Sequence, residues 1–247
     1  MSPSSEFGRL CVVLVATRNP LNLGAAARAM SNFGFSRLRV VAPYEAAFRE
    51  ARSAVGASAL LASAEEYESV AEAVADCTLV VGTTAARHRE LAHELFQLEE
   101  GARLIRRELK SGRVALLFGS EKRGLSNRDL SHCHWLLRLP TREEHPSMNL
   151  GQAVAVALYE VARSLGATQS KQAHTRRSPR LAAAGELERL TSTLLETLRA
   201  SGYANSQTAS TQEKVRRLIR RLEPDAADAE TLLGMLRQML WKIRADE

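Results

Sequence analysis

The 247-residue chain is long enough for one large domain, or for an ordinary domain with a small appendage. At 45% hydrophobic and 25% charged it matches a soluble globular protein, which excludes wholesale disorder and a fibrous repeat. The 34 basic and 28 acidic side chains leave a formal charge of +6, which favours a polyanionic partner, while 5% aromatic content argues against a binder that works by stacking bases on exposed rings.

Cys11, Cys77 and Cys133 are far apart and odd in number, so neither a disulfide framework nor a structural zinc site is expected, and a reducing compartment fits. Met1 to Gly8 lack the basic start and apolar run of a signal peptide, and no stretch reaches the roughly 18 apolar residues of a membrane span. The expectation is a cytoplasmic protein.

From Leu10 to Gly166 short β-branched runs alternate with helical patterns, the signature of an α/β fold with a parallel sheet covered on both faces. Strands are expected at Leu10 to Val15, Leu38 to Val41, Leu79 to Val81, Val114 to Phe118 and Trp135 to Leu139, with a weaker sixth near Ala59 to Leu61. Apolar spacings of three and four predict helices at Asn22 to Phe33, Glu65 to Ala75, Glu90 to Leu109 and Asn149 to Leu165. Residues 167–184 are poor in apolar side chains and read as a basic linker. Beyond it, Leu187, Leu190, Leu194, Leu195 and Leu198 mark one helix, Val215, Leu218, Ile219 and Leu222 a second, and Ala229 to Ile243 a third. The division is therefore 1–166 for the sheet domain, 167–184 for the linker and 185–247 for a helical extension.

Ligands of open α/β sheets bind at the carboxyl ends of the strands, and three polar loops follow predicted strands. The first, Thr17 to Met30, offers Asn22 as an N-cap, Gly24 for close backbone approach, and Arg28 on a helix otherwise made for burial. Without G-x-G-x-x-G it does not support a dinucleotide site. The second, Phe118 to Ser126, spaces Gly119 and Gly124 as a Walker A loop does, yet Leu125 stands where the lysine belongs. Its glycines supply turns, and Glu121 can accept hydrogen bonds from a neighbouring loop. The third, Leu139 to Val154, ends in a helix that either Ser147 or Asn149 caps, and the same two side chains could instead hold a hydroxyl or a carboxylate. His132, Cys133 and His134, read as strand residues, would alternate faces and not converge on a metal. Arg87 and Arg89 read as solvated loop charges rather than a catalytic pair, with contact to phosphate as the alternative, and no G-x-S-x-G elbow anchors hydrolase chemistry.

Together Asn22-x-Gly24-x-x-x-Arg28, Gly119-Ser120-Glu121-x-x-Gly124-Leu125 and Ser147-Met148-Asn149-Leu150 resemble the three motifs of SPOUT-class RNA methyltransferases, in the SpoU branch that methylates ribose 2′-hydroxyls. The resemblance implies an α/β knot, with a C-terminal trefoil threading that connection rules would normally exclude. It also implies S-adenosylmethionine as cofactor, no metal, and a homodimer whose active site is shared between subunits. By the same resemblance Thr83, Thr84, Ala85, Gly119, Leu139, Ser147 and Met148 bind the cofactor, with Met148 a volume-conserving departure from the usual leucine. Arg28, Ser147 and Asn149 carry catalysis, while Asn22, Gly24, Glu121 and Gly124 support the site. The C-terminal helices, including Lys214-Val215-Arg216-Arg217-Leu218, resemble the extension of a tRNA-modifying member, which points to cytidine or uridine 32 of the anticodon loop; ribosomal RNA is the alternative substrate, and a non-catalytic RNA-binding module the alternative class. Lys214, Arg216, Arg217, Arg220 and Arg221, spaced to share helix faces, are the expected RNA contacts.

Overall fold

The computed structural model describes residues 6–44, 46, 48–49, 51, 59–85, 93–142, 144–145, 147–163, 180–203 and 208–245. The apolar runs form strands because their β-branched side chains suit a surface buried on both faces. These are β1 (Leu10–Val15), β2 (Arg37–Val41), β3 (Glu65–Tyr67), β4 (Leu79–Thr84), β5 (Leu95–Gln97), β6 (Val114–Phe118) and β7 (Trp135–Arg138). They make one parallel sheet of order β3-β2-β1-β6-β4-β7-β5.

Alternation along β1 splits the core. Leu10, Val12 and Leu14 pack with α1 (Pro20–Asn32), α4 (Leu98–Leu109) and α6 (Leu150–Arg163), whereas Cys11, Val13 and Val15 pack with α3 (Val70–Ala73) and α5 (Asn127–Leu130). Helices α1 and α6 cross closely: a Cβ on Gly151 would lie 2.5 Å from the Ala25 Cβ.

Three expectations are corrected. Ala59–Ala62 is a helical turn, α2, because so short an apolar run suits either state. The predicted helix from Glu65 divides into β3 and α3, with the Ser69 hydroxyl capping the latter by accepting from the Glu72 N–H. The predicted helix from Glu90 begins only at Leu98, after β5; residues 86–92, with Arg87 and Arg89, lie outside the described residues.

Residues 167–179 of the expected linker also lie outside the described residues. The extension follows as α7 (Ala184–Ala200), α8 (Ala209–Arg221) and α9 (Ala226–Ala245), the last beginning three residues before the predicted Ala229. It has a core of its own in Ala182, Leu187, Leu190, Ile219 and Ala229. It docks on the loops that enter β4 and β7: Ala184 N–H donates to the Cys77 carbonyl at 2.8 Å, Gly185 N–H to that of Ala75 at 2.9 Å, and Arg220 Nε to that of His132 at 3.0 Å. The extension thus lies at the amino edge of the sheet, beside β4 and β7, on the side opposite the three polar loops.

Candidate active site

At the carboxyl edge the first loop turns into α1 through Asn19, whose side chain accepts from the Leu21 N–H, with Pro20 in the first helical position. The expected cap, Asn22, is instead inside the helix and buried, because Asn19 is the last residue in extended conformation. Freed from capping, Asn22 connects the loops: its Nδ2 donates to Glu121 Oε1 at 2.9 Å, and its Oδ1 accepts from Asn149 Nδ2 at 2.9 Å. Asn149 is the cap of α6, its Oδ1 accepting from Gly151 N–H at 2.9 Å and Gln152 N–H at 3.4 Å; Ser147 is exposed and takes no part in that cap.

Partial burial would raise the Glu121 carboxyl, but hydrogen bonds from Asn22 and from the backbone N–H groups of Glu121, Arg18 and Asn19 outweigh it and hold its pKa below the ordinary value. The loop around it is tight. Gly124 has φ +65°, and its N–H donates to the Ser120 carbonyl at 2.8 Å. A Cβ on Gly119 would lie 2.0 Å from the Gly124 carbonyl carbon, so only glycine lets the strand end pass its own returning loop.

A cavity of about 290 Å³ opens among the second loop, the third loop and the end of β4. Thr83, Thr84, Ala85, Gly119, Leu139, Ser147 and Met148 all line it. Thr83 is fixed by donating Oγ1 to the Leu117 carbonyl at 2.9 Å. Lys122, Arg123 and Thr141, not singled out from the sequence, line it as well. All three stand inside loops already of interest, the two bases in the second and Thr141 in the third, but no spacing within those loops marks them out. Beyond its own helix, Gly24 has no atom of the described residues within 4 Å of where a Cβ would stand, so among them no neighbouring backbone makes the expected close approach there. Arg28 is exposed on the third turn of α1 and outside the cavity lining.

The amino edge corrects two other expectations. His132, Cys133 and His134 precede β7 rather than lying in a strand. Arg216 and Arg220 do not present a phosphate-binding face: Arg216 forks onto Glu188 at 2.9 and 3.1 Å, and Arg220, only 1% exposed, reaches Glu188 at 3.2 Å. Arg217 stands 3.7 Å from Glu213, leaving Lys214 and Arg221 as the exposed members of the predicted cluster.

A family described as SpoU rRNA Methylase matches residues 9–159. A tRNA (cytidine/uridine-2′-O-)-methyltransferase, TrmJ, from Sodalis glossinidius is 34% identical over 228 residues, covering 91% of this chain and 89% of that one. TrmJ of Escherichia coli K12 is 34% identical over 229 residues, covering 91% and 92%. The crystal structure of TrmJ from Z. mobilis ZM4 superposes with a TM-score of 0.79 at 30% identity, over 93% of this chain and 98% of that one.

Proposed function

The chain belongs to the SpoU rRNA Methylase family, and on that premise we propose that it is an S-adenosylmethionine-dependent enzyme that methylates the ribose 2′-hydroxyl of tRNA, at cytidine or uridine 32 of the anticodon loop. The observation that carries the reading is the hydrogen-bonded series Asn149, Asn22, Glu121, which joins all three loops beside a lined cavity. The names of the relatives similar over nine-tenths of the chain favour tRNA; the family's description keeps ribosomal RNA as the second reading.

The cavity suits the cofactor. Its volume falls near the roughly 300 Å³ lower end of small-molecule sites, and the Gly119 crossing leaves backbone rather than side chain along one wall. Thr83, Thr84, Ala85, Gly119, Leu139, Ser147 and Met148 would hold it. When bound, S-adenosylmethionine supplies an electrophilic sulfonium methyl, so the protein's part is alignment and charge stabilisation. Ser147 and Asn149 orient the ribose, and Glu121 keeps the loop in place through Asn22. Arg28 stabilises negative charge developing on the 2′-oxygen. A guanidinium is a donor without acceptor capacity, so the hydroxyl proton passes to a phosphate or water.

The exposure of Arg28 outside the cavity lining supports a homodimer in which Arg28 of one protomer serves its partner's cavity. The same reading carries a trefoil knot within 1–166, the division at 167–184, and a cytoplasmic site of action on tRNA. Among the described residues no helix is long and apolar enough to cross a membrane.

Transfer of labelled methyl into total RNA, followed by mapping of the modified nucleotide, tests the reading. Arg28→Ala should lower turnover at least about 100-fold, as expected for loss of a charge-stabilising donor, with cofactor affinity nearly intact; undiminished turnover would refute the role of Arg28.

A further inference from the structure

Arg216 and Arg220 of α8 are committed to Glu188, so cations of the extension that can meet an outside ligand must stand elsewhere. Between α7 and α9 lies a cleft of about 710 Å³ that shares no lining residue with the cavity at the carboxyl edge and is lined by three arginines drawn from three segments: Arg180 before α7, Arg189 on α7 and Arg237 on α9. The rest of its lining is largely small or apolar, with Ala226, Ala227, Ala229, Leu233 and Gly234, and beyond its own helix Gly234 has no atom of the described residues within 4 Å of where a Cβ would stand.

Two carboxylates share the lining, Glu186 and Glu230. Glu186 is already engaged, accepting from the Ala183 N–H at 2.7 Å and from Arg180 Nη2 at 2.9 Å. Arg189 and Arg237 are exposed, and neither guanidinium donates a hydrogen bond to another described residue, although Arg189 faces Glu186 closely enough to help hold that carboxyl below its ordinary pKa. Their donors are therefore available to an anion that can lie along a wide groove. The backbone is stitched beneath it, Ala182 N–H donating to the Pro224 carbonyl at 3.1 Å and Ala226 N–H to that of Arg180 at 2.9 Å, so the three arginines are carried on one framework.

We infer that this cleft binds the phosphodiester backbone of RNA, with Arg189 and Arg237 as phosphate contacts and Arg180 as their paired support. A guanidinium fork matches phosphate geometry, and a lining in which Ala226, Ala227, Ala229 and Gly234 stand beside the single larger apolar side chain Leu233 leaves width for a ribose-phosphate strand. The inference rests on the proposed action on RNA and names the surface of the extension that holds it.

The test is tRNA binding by the full chain across a salt series, comparing the parent with Arg189→Glu/Arg237→Glu and with a charge-matched pair on α4, Arg103→Glu/Arg107→Glu. Exposed Trp241 lies one helical turn from Arg237 and offers a fluorescence reporter against the buried background of Trp135. Expected are a loss of at least about tenfold in affinity at low salt and a salt slope shallower by about 1.5 to 2 for the cleft variant, with the α4 variant at the parental value. An unchanged slope, an equal loss in the α4 pair, or displacement of tRNA by polyglutamate of matched charge would each overturn it, the last assigning the cleft to an acidic protein. Absence of methyl transfer by the parent would sink the enzyme reading alone, because salt-dependent RNA binding mapped to Arg189 and Arg237 would still stand.

Discussion

Glu121 accepts from a side chain of the first loop and from the backbone of the same loop, while that side chain, Asn22, accepts in turn from Asn149 of the third. Replacing one carboxylate oxygen by an amide turns an acceptor toward donors. Glu121→Gln should therefore cost about 1–3 kcal/mol of stability and lower methyl transfer at least about tenfold, measured by urea unfolding and labelled-methyl turnover. Parental turnover in a folded variant would show that the series is incidental to the site. Part of this was legible in the sequence: residue type and order singled out Gly119, Glu121 and Asn149, which the structure brings to one edge of the sheet. The partnering of Asn22 was not, because whether an asparagine near a helix start caps it depends on which residue last holds extended backbone, and Asn19 does so here.

Among the elements, α8 shows how a periodic basic pattern can have a structural purpose. Arg220 is buried with its fork divided between the His132 carbonyl and Glu188, which also holds Arg216. Removing one member of such a set leaves a carboxylate poorly compensated, so Arg220→Ala should destabilise the fold by about 3–5 kcal/mol while the salt slope of tRNA binding is retained. Thermal unfolding and the salt series measure the two effects separately; a lost slope with unchanged stability would restore Arg220 as a phosphate contact. Spacing places arginines on a helix face, but it does not tell which face meets a neighbour bearing Glu188. The split of Glu65 to Ala75 into strand and helix was hidden for a related reason, since β3 forms by pairing with β2, through contacts distant in sequence.

Over the whole molecule, the docked extension makes stability depend on pH. Burial, with Arg220 nearby, pushes the His132 imidazole down to about 3, and burial pushes His134 down to about 3, where its Nδ1 accepts from the Val80 N–H. The unfolded chain therefore binds protons that the folded chain refuses between an unfolded value of about 6.5 and the folded value of about 3, so stability falls as pH is lowered through that window. The slope should approach about 1.4 kcal/mol per pH unit for each histidine. Below about pH 4 Asp76, held low by its hydrogen bonds from Arg39, adds to the loss. Urea midpoints from pH 7 to 4 check this, and His132→Leu should flatten the slope by about one proton; an identical slope would exclude His132 from the linkage.

Local information alone was enough for the parallel α/β class, for β1 and β6 to the residue, and for the three loops at the strand ends. An apolar strand and a glycine-punctuated turn follow from the chain's own neighbours and from what water does to their side chains. Tertiary structure decided which polar groups those loops hand to one another, that Arg28 lies outside its own cavity, that the extension docks at the entries of β4 and β7, and that a basic helix commits two of its arginines to Glu188. Each depends on which surfaces meet across long sequence separations, and burial there determines whether a charge is a partner for the protein or for an outside ligand.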